Sequence, residues 1–138
     1  MLLSSGFQGS FQGPVVTMIN RYCDSTCEGI AMGIARLDPS RAAVTGFEGT
    51  LGSFGMSGGT IMLPGDFAFE IPFGRSIDAQ DRIQLDSDWT GAGGVLPTRP
   101  LARDSANLIA FVQQRLGAGG DVELDWALAV LLEMMGGA

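Results

Sequence analysis

A chain of 138 residues, 46% of them hydrophobic, is the size of one domain with one core, and no apolar run approaches the ~20 residues of a membrane span. All eight basic residues are arginine against fifteen carboxylates, and the net charge of −7 opposes nucleic-acid binding, because phosphate must be met by cations. There is no histidine, which excludes His-dependent triads and ordinary zinc catalysis and leaves carboxylate, serine or cysteine chemistry.

The start, Met1 to Gly13, lacks the charged region and apolar core of a signal peptide. Gly6-Phe7-Gln8-Gly9 is echoed by Ser10-Phe11-Gln12-Gly13, too short a repeat for a solenoid. Residues 1–13 therefore read either as an N-terminal arm that lays Phe7 and Phe11 on a neighbouring subunit or as a terminus without fixed structure. Residues 14–138 read as a single β-rich domain with a helical C-terminal part.

Val15 to Ile19 is mostly β-branched and Ile30 to Leu37 is apolar around Gly33, so two strands are expected there. Asp38-Pro39-Ser40 reads as a turn or a helix start, and Val44 to Met56 as a long irregular loop with at most an edge strand. Thr60 to Leu63 runs into the turn pair Pro64-Gly65, after which Phe67, Phe69 and Ile71 share one face at period two until Pro72-Phe73-Gly74 breaks the strand. Ile83 and Leu85 alternate with Arg82, Gln84 and Asp86, the pattern of a half-buried strand. Asp104 caps a helix from Ser105 to Leu116 that Gly117 stops. From Val122 to Met135 the sequence alternates as a strand does, yet its length favours a helix capped by Asp121. The fold class expected is mainly β with one or two C-terminal helices: a small β-barrel or sandwich with long Gly-rich loops.

Three features invite a chemical reading. Cys23 and Cys27 place two thiols on one helix face or close a small disulfide, with reduced structural thiols expected for a cytosolic chain; a metal site would lack its remaining ligands. Asp78, Asp81, Asp86 and Asp88 are the one concentration of hard oxygen ligands, with Asp86 and Asp88 the metal candidates, but Trp89 and the missing closing Glu spoil an EF-hand loop, and a solvated acidic loop is the preferred reading. Gly52-Ser53-Phe54-Gly55-Met56-Ser57-Gly58-Gly59 looks like a phosphate cradle, but it has neither the Lys nor the helix start of one. No catalytic residue and no cofactor is expected.

The segment from Ile71 through Pro72, Gly74, Asp78, Asp81, Arg82 and Ile83 to Leu85 resembles head-closure (stopper) and connector proteins of tailed bacteriophages: an extended Pro/Gly stretch, an acidic turn and a strand opening on Asp-Arg-Ile. The resemblance implies a small β-barrel in a ring around a portal channel, without catalytic residues. Downstream of Leu85 the sequence departs, passing through Gly- and Pro-rich stretches into a helix instead of another barrel strand.

The expected function is thus a structural component of a phage particle, at the head-tail connector or neck or in a related virion position, acting through subunit contacts. It is expected to form a homo-oligomer, with a ring as the favoured form, to bind other virion proteins but neither membrane nor specific nucleic acid, and to reside in the virion after assembly in host cytoplasm. The interface residues expected are Phe7, Phe11, Trp126, Leu131 and Met134, large apolar side chains in an arm and a terminus. One alternative is a small acidic β-barrel enzyme or ligand-binding protein using Asp81, Asp86 or Asp88; another is a cytosolic homo-oligomer with no viral connection.

Overall fold

The computed structural model describes residues 11–53, 55–85 and 94–136. Its order is β1 (Val15–Met18), α1 (Thr26–Ala35), β2 (Ala42–Gly46), β3 (Gly55–Leu63), β4 (Phe67–Arg75), β5 (Arg99–Pro100), α2 (Ser105–Arg115) and α3 (Val122–Met134). Strands β1, β2 and β5 form a parallel sheet in that order, and β3 with β4 forms a separate antiparallel hairpin. Strands and C-terminal helices are present as expected, but the sheets do not close into a barrel.

Parallel strands need a crossover, and α1 supplies it between β1 and β2. The stretch expected as a second strand is this helix. Glu28, Ala31, Met32 and Ala35 recur at helical spacing on its inner face and leave Ile30 in solvent. Strand β2, expected within an irregular loop, is instead the centre of the sheet. All five of its residues are buried, so the alternation that marks a half-exposed strand is missing from Ala42-Ala43-Val44-Thr45-Gly46.

Val44 packs with Ile19, Cys23, Ala31, Leu85 and Val95 beneath α1. Alternation along the strand turns Ala43 and Thr45 to the opposite face, and α3, which packs on β1 and β2, buries Ala127 and Val130 outside that cluster. Two small helix-facing layers thus sandwich a three-stranded sheet. The strand β5 is only two residues long, and Thr98 extends its edge: the Val44 N–H donates to the Thr98 hydroxyl at 2.9 Å.

Both C-terminal helices form where expected, the second resolving the strand-or-helix ambiguity in favour of the helix. Asp104 and Asp121 cap them, accepting from the Asn107 and Leu124 N–H groups at 2.9 and 3.0 Å. The Trp126 indole N–H donates to the Arg99 carbonyl at 3.1 Å, and Arg99 pairs with Glu133, so α3 is fastened to the short strand β5.

The hairpin forms around Pro64-Gly65-Asp66, with Gly65 and Asp66 both in the left-handed region (φ 87° and 61°). Pro72 does not end β4, which continues to Arg75 through a register irregularity opposite Ser57. The strand expected around Ile83 and Leu85 reduces to one bridge, Ile77 to Ile83. Leu85 leaves it to enter the core, while Ile83 stays exposed.

Candidate functional site

Parallel strands all deliver their carboxyl ends to one edge, where the following loops diverge and leave a crevice. Here β1 runs into Asn20, Arg21 and Tyr22, β2 into Phe47 and Glu48, and β5 into Arg103. With Leu108, Phe111 and Arg115 of α2 and Glu123 of α3, these residues line a cavity of about 330 Å³.

Its walls are aromatic and its charges are fixed unevenly. Phe47 and Phe111 meet edge to face, ring centres 5.5 Å apart, and the Arg115 guanidinium lies 5.1 Å from the Phe111 ring centre. Arg103 donates from Nε to the Phe47 carbonyl at 2.9 Å and from Nη2 to Glu48 at 3.1 Å, which fastens the segment after β5 to the loop after β2. Glu123 is held above the ordinary carboxyl range by burial and by the neighbouring Asp121, with Arg115 opposing. Arg21 has neither an ion pair nor a hydrogen bond among the described residues.

The loop behind this cavity hangs on Glu28. Its carboxylate is fully buried and accepts from the Thr50 hydroxyl at 2.7 Å, the Ser53 N–H at 2.8 Å, the Ser25 N–H at 3.1 Å and the Gly52 N–H. Each oxygen takes two donors, so the acceptor capacity of the carboxylate is filled and none remains for a substrate. Of the glycine-rich run, only the Gly52 and Ser53 N–H groups meet an anion, and that anion is the chain's own Glu28 side chain; Gly55 to Gly59 belong to β3. Gly94 completes the packing: at φ 79° it passes so close that a Cβ would lie 2.4 Å from the Thr50 hydroxyl.

Cys23 and Cys27 form a disulfide at the mouth of α1, in place of the free thiols expected from the sequence. The bond is local, joining residues four apart, and the Leu51 N–H donates to the Cys23 carbonyl at 3.0 Å, so it belongs to the same knot as Glu28.

The expected site residues fall in different places. Phe11 is 65% exposed over a shallow cavity with Leu37, Asp38 and Arg41 at the amino end of the sheet; Phe7 lies outside the described residues. Trp126, Leu131 and Met134 are half-buried, Trp126 against β5. The outward face of α3 carries Leu124, Leu128 and Leu132 instead. Asp86 and Asp88 lie outside the described residues. Asp78 is spent on its own turn: it accepts from the Gln80 and Arg82 N–H groups and from the Arg82 side chain, which hold its carboxyl below the usual range. Among the described residues no cluster of carboxylates or cysteines could hold a metal ion.

The hairpin carries a run of uncovered apolar side chains. Ile61, Met62 and Leu63 of β3 and Phe67, Phe69, Ile71 and Phe73 of β4 are all exposed, and β3 and β4 pack chiefly on each other. The period-two pattern locates these strands, but it does not say whether the apolar face meets a core or solvent. Helical spacing puts Phe111 and Arg115 on one face of α2, but nothing in the sequence adds Arg21 and Phe47 to them; the parallel topology does. Comparison of the chain with protein-family models, curated proteins and solved structures gave no match.

Proposed function

We propose that the protein is a structural subunit that assembles with copies of itself, as a component of a phage particle at the head-tail connector or neck. It works through subunit contacts and not through catalysis. The observation that carries the assembly reading is the hairpin: nine-residue strands with apolar side chains exposed on both faces, Phe67 by 70% and Phe73 by 67%. A contiguous apolar surface of this kind is costly in water and marks a site that another protein covers. A two-stranded ribbon is also marginal alone, so its neighbours complete its folding.

The phage assignment rests on the resemblance of the stretch from Ile71 to Leu85 to connector proteins. The net charge of −7 supports it, since a ring through which DNA passes must not hold phosphate.

Light scattering during gel filtration of the full-length chain tests the assembly reading. A single ring-sized mass is expected, resolved as rings by electron microscopy. A monomer at every concentration up to the solubility limit would overturn it.

A further inference from the structure

We infer that the turn of the β3–β4 hairpin of one copy docks into the cavity at the carboxyl ends of the parallel strands of the next copy. The inference rests on the self-assembly reading and names the two surfaces that meet.

The tip is Pro64-Gly65-Asp66-Phe67. It presents a carboxylate beside an aromatic ring, both exposed, and the left-handed backbone at Gly65 and Asp66 makes the turn narrow. The cavity presents the complement: Phe47, Phe111 and Leu108 for a ring, and Arg21, unpaired among the described residues, for a carboxylate. A third ring against the edge-to-face pair, with an Arg21–Asp66 contact at the rim, is the anchor-and-charge arrangement that dominates interface energies.

Charge makes this pairing selective. Two copies at −7 repel at long range, so association needs a local patch of opposite sign. Arg21, Arg103 and Arg115, three of the eight arginines, line this one cavity against two carboxylates, Glu48 and Glu123. Reach is sufficient, since a nine-residue strand extends about 30 Å. The cavity, at about 330 Å³, lies at the small end of ligand pockets and is large enough for one aromatic side chain, with the turn that carries it at the rim. Tip and cavity are different surfaces, so the contact is head-to-tail and generates a ring where the rotation closes.

The test uses two full-length variants, Arg21→Asp and Asp66→Arg, each studied alone and mixed with the other. Each alone is expected to lose the wild-type oligomer, because one of its two surfaces is reversed. Mixed one to one, both contacts between unlike copies join opposite charges, the native Asp66 tip on the native Arg21 cavity and the reversed tip on the reversed cavity, so assembly is expected to return with the two variants alternating. Recovery of mass on mixing also shows that both variants are folded. If the wild type assembles while Asp66→Arg keeps the same mass, or if the mixture stays monomeric, the docking is wrong and self-assembly stands on another surface, such as the outer face of α3. If the wild type itself is monomeric, the assembly reading falls and this inference with it.

Discussion

Glu28 and Thr50, 22 residues apart in the chain, meet at 2.7 Å in a position that solvent does not reach. The Thr50 hydroxyl that donates to Glu28 also accepts from the Val95 N–H at 2.8 Å, and the Thr50 N–H donates to the Val95 carbonyl at 3.1 Å. One hydroxyl therefore ties α1, the loop after β2 and the segment that enters β5. That loop begins with Phe47 and Glu48, so the anchor that holds it also sets one wall of the cavity.

Replacing Glu28 with Gln tests the anchor while keeping its shape. An amide turns one NH₂ group toward donors, so two of the four bonds are lost and two N–H groups face one another. At roughly 1.5–3 kcal/mol for each bond to a charged group, the loss is about 3–6 kcal/mol. For a chain of this length the melting temperature should fall by roughly 10–20 °C, read by circular dichroism. An unchanged melting curve would show that the carboxylate does not organise the loop.

Elements announced by local signals are legible in the sequence, and those defined by topology are not. The α2 stripe and its Asp104 cap, the hairpin turn at Pro64-Gly65 and the β1 run of Val15 and Val16 are local signals of this kind. Strand β2 escapes such a reading because burial on both faces removes alternation. Helix α1 escapes it because Gly29 and Gly33 read as strand or loop punctuation, although Glu28 at its first turn is a helix-start signal. The cavity is hidden for a different reason. Its residues come from the ends of three strands and from two helices, and only the pairing of β1, β2 and β5 brings these elements together.

The Cys23–Cys27 bond closes a short loop, so its contribution through the unfolded chain is modest. With a separation of four residues, loop-closure entropy gives about 2 kcal/mol. Reduction should lower the melting temperature by roughly 5–8 °C without unfolding the chain, because Glu28 and the Leu51–Cys23 backbone bond still hold α1. Thiol titration of the denatured chain should find no free thiol before reductant and two after it. Two thiols titrating before reductant would mean that this loop is held without the bond.

Glu123 provides a pH test at the cavity. Burial and Asp121 raise its pKa above the ordinary 4.5, so the folded chain holds this proton more tightly than the unfolded chain does. The resulting stabilisation is fully present below the unfolded value and is lost as pH rises through the folded one. Above that range the ionised carboxylate is a net cost, which Glu123→Gln removes. The variant should melt with the wild type at about pH 3 and above it at about pH 7, the difference opening between those limits as the wild-type proton leaves. Asp78 and Asp38 shift in the opposite sense, held down chiefly by backbone N–H groups of Arg82 and Ser40, and both are common to the two proteins, so they cancel in the comparison. A difference between variant and wild type that is the same at both pH values would show that the substitution acts through packing and not through the proton. A wild type more stable than the variant at neutral pH would mean that Arg115, 5.1 Å from the Phe111 ring centre, outweighs burial and Asp121 in setting the charge of this wall.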